Sequence, residues 1–194
     1  MATQTELGHV LAAQQFANKK DLYFVLGKDQ DWADPSNPDP EDTNATMITN
    51  PIALLKVDRL VMCYESSDPV TTSASDGDDY IIYKGKKWNV ISANALFNNN
   101  GQPIQNAHYV CLIGTLDVGA LAMFDFTQIG VVGAVTDAQG NTLFGPQIAD
   151  NAPSKHEATK ENVLKWGELL FYENRVKETF SSSSRLIIKY MISF

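Results

Sequence analysis

Leu186-Ile187-Ile188-Lys189-Tyr190-Met191-Ile192-Ser193-Phe194 closes the sequence, and its period decides the fold class. Leu186, Ile188, Tyr190, Ile192 and Phe194 alternate with Arg185, Ile187, Lys189, Met191 and Ser193. Successive side chains of an extended chain point to opposite faces, so one face here is wholly apolar and the other mixed. That pattern is a strand with one side on a core.

Working outward, four serines (Ser181 to Ser184) separate this strand from another apolar run, residues 167–176. Residues 136–154 are rich in Gly, Pro, Asn and Ser and read as a long loop; residues 160–166 are expected to form a helical turn. Upstream, residues 108–116 and 124–135 are further strands. Tyr80-Ile81-Ile82-Tyr83 and Trp88-Asn89-Val90-Ile91 flank Lys84-Gly85-Lys86-Lys87, the composition of a hairpin. Residues 52–57 and 60–64 are apolar, whereas 66–79 is a Ser/Thr/Asp-rich exposed loop. Residues 22–26 form a compact apolar strand ending at Gly27. Before it, Thr3 and Glu6 have capping-box spacing, and Leu7, Val10, Leu11 and Phe16 recur at helical intervals, with Lys19 and Lys20 at the stop. A helix this short is not stable alone and must pack on the domain or a partner. The expected fold is mainly β and β-sandwich-like, with long irregular loops and a short N-terminal helix. One domain spans 1–194, with a loop excursion over 136–166. Two apolar terminal strands, 22–26 and 185–194, are expected to meet in one sheet system.

Residues 28–42 are the most unusual stretch. Pro35, Pro38 and Pro40 remove backbone donors and forbid a regular helix or central strand. Many carboxylates keep the stretch wet, while Trp32 is large enough to require burial. A stiff, charged loop pinned by one aromatic satisfies both demands.

The chain carries a formal charge of −8 with 44% apolar residues, so it has material for a core and repels phosphate backbones. Lys84, Lys86 and Lys87 read as a solvated hairpin tip, and no nucleic-acid partner is expected. Cys63 and Cys111 lie in strand-like runs as small buried hydrophobes; whether they are close is open. No apolar run approaches the roughly 20 residues that span a bilayer, and no basic-apolar leader opens the chain. Synthesis and folding in a cytoplasm, without membrane insertion, are expected.

Catalytic grammar is missing. His9, His108 and His156 lack ligand-spaced partners, neither cysteine belongs to a C-x-x-C, and the acids of 29–42 lack the order of a calcium loop. There is no nucleophile elbow or phosphate loop. Catalytic, metal and cofactor residues are expected to be none, and the protein is not expected to be an enzyme.

Three stretches resemble the wedge proteins of contractile-tailed phage baseplates, in particular their β-rich dimeric subunit. Leu22 to Lys28 with Trp32, Pro38, Pro40 and Asp42 is similar to the family's opening: an aromatic-aliphatic strand, Gly27, a basic residue, a Trp and a Pro-rich turn ending in an acid. Gly167-Glu168-Leu169-Leu170-Phe171-Tyr172-Glu173-Asn174-Arg175 is similar to the family's Gly-Glu/Lys-apolar-apolar-Tyr-x-Glu-Asn-Arg, although Tyr172 here directly precedes Glu173. The closing strand is the third. Val176-Lys177 stands where the family has a second Pro, and Ser181 to Ser184 where it has an acidic turn. The resemblance implies a structural subunit of the virion, in the tail baseplate, acting through protein–protein contacts in assembly, host attachment and contraction. Its partners would be other wedge and tail proteins, within which it would form a homodimer. Another tail or neck protein (a connector or tail-completion factor) and a tail-associated cell-wall hydrolase are the rival readings. Within the second motif, Glu173 and Arg175 share a strand face with Asn174 on the other. They form either an Arg–carboxylate arrangement that fixes the following loop or separate surface charges. Long loops carrying Val70, Leu143, Phe144 and Ile148 are a further reason to expect partners.

Overall fold

The structure is a computed structural model and describes residues 5–70, 76–77, 79–91, 97, 100–102, 107–137, 157–159 and 163–194. The centre of the 66–79 loop, most of 136–154 with Leu143, Phe144 and Ile148, and His156 lie outside the described residues. The protein is mainly β, with two five-stranded antiparallel sheets and one N-terminal helix. Its residues group into two compact units: Asp21–Val57 with Gly114–Ile188, and Met1–Lys20 with Asp58–Ile113 and Lys189–Phe194.

The first of these units is organised by β1 (Leu22–Gly27), which is buried at all six positions. A strand buried on both faces needs a neighbour on each edge. β2 (Pro51–Lys56) and β7 (Phe124–Gly133) supply them, with Phe24 opposite Leu55 on one side and Val131 on the other. β7 pairs onward with β11 (Glu168–Phe180), and β2 with β9 (Glu157–Thr159), so the order is β11-β7-β1-β2-β9. Tyr23, Val25, Ile48, Leu54, Val132 and Val135 form a buried cluster, with Met47, Trp166, Leu169 and Tyr172 packed against it. Burial raises the Tyr23 phenol to about 12. Each such side chain contributes roughly 1.5–3 kcal/mol on leaving water. The segment expected to hold a helical turn instead contains β10 (Val163–Lys165), paired with β8 (Thr136–Asp137). Backbone pairing to a partner distant in sequence overrides a weak local preference there.

The second sheet has the order β12-β6-β3-β5-β4, from β3 (Arg59–Glu65), β4 (Tyr80–Tyr83), β5 (Lys86–Ile91), β6 (Tyr109–Leu116) and β12 (Leu186–Ser193). The hairpin expected at 80–91 is present, and Lys84 and Gly85 both carry positive φ, the type I′ geometry that matches strand twist. Cys63, Ile81, Trp88, Cys111 and Ile113 make its buried cluster. Both cysteines are free thiols. Val61 lies opposite Cys111 and Cys63 opposite Tyr109, so the two cysteines stand diagonally on adjacent strands. Burial pushes both thiols up, Cys111 to about 12.

Helix α1 (Glu6–Ala17) is capped by Thr5, whose hydroxyl accepts from Gly8 N at 3.2 Å. The expected cap at Thr3 lies outside the described residues. Val10, Ala13 and Phe16 face inward, with the Phe16 ring 5.2 Å from that of Phe194. Leu7 and Leu11 are exposed, so the helix buries a narrower stripe than its apolar spacing suggests.

The two terminal strands do not meet in one sheet: β1 lies at the centre of one sheet and β12 at the edge of the other. The reason is that both edges of β1 are occupied, by β2 and β7. The strand that joins its sheet from the C-terminal region is β11.

Candidate functional site

The first two of the three quoted stretches lie in the unit built on β1, which brings them together. Gly27 ends β1 at a register shift, where a Cβ would stand 2.7 Å from the Thr49 carbonyl and 2.9 Å from that of Asn50. Only a residue without a side chain lets the start of the loop return so close to its end. Lys28 N then donates to Thr49 O at 2.8 Å, closing residues 28–49 into an Ω-like excursion.

Trp32 anchors the excursion. Its side chain is 7% exposed, and its indole N–H donates to the Arg175 carbonyl at 2.7 Å. The Lys28 ammonium lies 3.9 Å from the indole ring centroid, a cation–π contact. Further along, the Tyr172 hydroxyl accepts from Asp42 N–H and donates to Asp42 O. Asn174 Nδ2 donates to Asp39 O at 2.8 Å, and Asn174 N donates to Glu41 Oε1 at 3.1 Å. Backbone groups of β11, which is at a sheet edge, are thereby satisfied by the loop in place of another strand.

Beneath this seam runs a buried polar relay. Thr49 N donates to Gln128 Oε1 (2.7 Å), and Gln128 Nε2 donates to Asn174 Oδ1 (2.8 Å). Thr127 Oγ1 donates to Lys28 O at 2.8 Å. Thr127 and Gln128 are buried, and burial makes each of these bonds costly to leave unmade. Neither residue was singled out in the sequence. The signal available was a polar pair inside the otherwise apolar run of β7.

Charges follow the same plan. Arg175 forks to Glu173 and Glu178, each at 3.3 Å, so the motif arginine forms the Arg–carboxylate arrangement. Lys177 reaches Asp31 at 3.0 Å and Asp125 at 3.5 Å; the hydrogen bond it donates to Asp31 raises its affinity for its proton. Thr179 donates to Asp125 at 2.6 Å and, with Lys177, holds that carboxyl below its usual range. Hydrogen bonds from Ser36 do the same for Asp34 in a local Asx turn. Asp29, Asp31, Asp34, Asp39, Glu41 and Asp42 all remain exposed.

The other motif residues take supporting positions. Gly167 has φ +84°, and a Cβ there would stand 1.7 Å from Gly133 O, so no other residue fits without moving the backbone. Glu168 is exposed opposite Gly133 in the ladder, Pro38 is half-buried and Pro40 exposed. In the other unit, His9 and His108 meet with ring centroids 5.7 Å apart, and Glu6 lies 3.5 Å from His108 Nδ1. Among the described residues no group of three or more His, Cys, Asp or Glu is arranged to hold a metal ion, and no helix is long and apolar enough to cross a membrane. The clamped loop is chemically suited to presenting a fixed, charged backbone surface.

Comparison with known proteins adds two findings. A family model described as baseplate wedge 3 tail fiber network component matches residues 1–194. The chain is also 26% identical, over 196 residues, to virion protein 3 of Enterococcus phage phiEF24C, an alignment covering 100% of this chain and 95% of that protein.

Proposed function

The chain belongs to the baseplate wedge 3 tail fiber network component family, and on that premise we propose that it acts as a homodimeric wedge subunit, joining neighbouring tail proteins through the clamped loop. It is a structural protein of the phage baseplate and interacts with other baseplate proteins. The finer reading is that the outer face of residues 28–50 docks a basic surface of a sibling wedge or tail-fibre-network protein, with no catalytic step.

One observation carries it. A loop of this length held by Trp32, Tyr172, Asn174 and Gln128 is built to keep its backbone in one shape while its carboxylates face outward. Loops that long are functional or disordered, and this one is tied down at both ends and in the middle. Pre-ordering lowers the entropic cost of association. Carboxylates on the rim steer a basic partner and make its on-rate salt-dependent.

Co-expression with sibling tail proteins is the test. Full-length protein with Asp39, Glu41 and Asp42 changed to Asn, Gln and Asn keeps the loop's shape and removes three of its six carboxylates. Weakened, salt-insensitive capture of a basic sibling supports the reading; unchanged capture at low salt removes the loop from it. Light scattering at micromolar concentration tests the homodimer, and lysis in a host cell-wall zymogram would replace the whole reading with a hydrolase.

A further inference from the structure

We propose that the paired imidazoles of His9 and His108 form an acid-sensitive latch, which holds helix α1 on its sheet near neutral pH and releases it when both rings carry a proton. The latch lies in the unit that carries α1 and is independent of the clamped loop.

The two ring centroids stand 5.7 Å apart, with the planes tilted by 49°. His9 belongs to the first turn of α1, where its N–H donates to Thr5 O at 3.0 Å, and His108 immediately precedes β6. The His108 ring stacks on Tyr109 at 4.6 Å, and its side chain is 16% exposed. Nδ1 of each imidazole is buried and makes no hydrogen bond. Glu6 Oε1 stands 3.5 Å from His108 Nδ1, within ion-pair reach. Residues 1–5 and 92–107, which lead into the two histidines, contain no ionisable side chain. The other titratable groups that the fold brings to the pair in this unit are the Tyr109 phenol and the main-chain carboxyl of Phe194, whose N–H donates to His108 O at 3.0 Å. Lys19 and Lys20 lie past the far end of the helix.

A first proton is accommodated, because the Glu6 carboxylate stands beside His108. A second is not. The first cation is one ring away, Glu6 neutralises only one charge, and the buried nitrogens have little water around them. On His9 the proton also sits in the first turn of a helix, where the dipole disfavours a cation. Release gives both rings to solvent. The released form therefore binds more protons than the docked one, so docking is complete above the imidazole range and is lost as pH falls through it, toward about pH 5.

The rest of the contact is thin. Val10, Ala13 and Phe16 are buried, but beside them Gln14 and Asn18 face Leu60, Met62 and Ile91 across a cavity of about 150 Å³. Atoms that line a void forfeit dispersion contacts. A helix of 12 residues is marginal in water without tertiary packing, so release and fraying coincide. What acid uncovers is an apolar sheet face that includes Leu60, Met62 and Ile91.

Hydrogen exchange of the full-length chain, in buffer with a chelator, is followed from about pH 7.5 to about pH 4.5, a span that brackets imidazole titration. Protection factors, corrected for the intrinsic pH dependence of exchange, should fall at least about tenfold over residues 10–17, since one extra proton changes the equilibrium about tenfold per pH unit. Strands β3 and β6 should keep their protection. His9→Gln and His108→Gln should each abolish the fall, and Glu6→Gln, at an exposed position, should move it to higher pH. Unchanged helix protection in the wild type overturns the latch. A fall shared equally by β3 and β6 is global acid unfolding and overturns it too, as does a fall that both histidine variants retain. Where a histidine variant does not fold, Glu6→Gln decides: an unshifted fall overturns the proposal.

Discussion

Residues 28–50 and residues 118–123 are two loops of one unit built on opposite polarity. The first turns charge outward and buries its aromatic anchor, Trp32, beside the backbone of β11. The second turns Val118 and Met123 outward and is held underneath by polar bonds from Gly119 and Arg185. Exposed carboxylates are stable in water, so the first loop holds its shape before any partner docks on it. Exposed aliphatic side chains are not equally satisfied, so the second leaves free energy to be recovered by association. A loop's order and its need for a neighbour are therefore separate properties.

The largest test of that contrast is Trp32→Ala. Removing an indole that is buried and hydrogen-bonded should cost about 3–5 kcal/mol in urea unfolding; a loss below about 1 kcal/mol would show that the loop has no core-like anchor. Asn174→Ala comes next. It strips the acceptor of Gln128 and the donor to Asp39, and should cost about 1–3 kcal/mol, with faster amide exchange over residues 39–49. Unchanged exchange there would move the anchor wholly to Trp32.

A smaller effect comes from pH. Asp34 and Asp125 have lowered folded-state affinity for protons. Their contribution is complete above the ordinary Asp range, near pH ~3.9, and is lost as pH falls through the lowered folded values. Carboxyl chemical shifts followed by NMR should titrate below that range, and Ser36→Ala should return Asp34 toward it. The smallest effect belongs to the apolar loop. Met123→Asp should change the unfolding free energy of the isolated chain by less than about 0.5 kcal/mol. A larger loss would mean that the side chain already packs within its own subunit, and the contrast between the two loops would close.

Several elements were legible in the residues alone. The run at 22–26 was apolar on both faces, and it became the central strand β1. The hairpin around Lys84-Gly85 and the burial of Trp32 followed from turn chemistry and indole size. The Glu173–Arg175 contact was one of two open alternatives, decided when β11 placed both on one face with Glu178 within reach. The seam to Tyr172 and Asn174 was not legible, because its partners stand more than 120 positions away in the chain. The helix face was legible in part: of the residues that spacing nominates, Val10 and Phe16 are buried and Leu7 and Leu11 are exposed, while Ala13 joins the buried stripe.

By itself, the sequence determined the β class, the positions of most strands and the polarity of each loop, because alternation, turn residues and charge act over a few neighbouring positions. Only the tertiary structure decided which strands share a sheet, that Gln128 and Asn174 relay one loop to another strand, and that the apolar residues of 118–123 face outward. Those outcomes depend on which distant groups compete for the same edge or cavity, and local patterns carry no record of that competition.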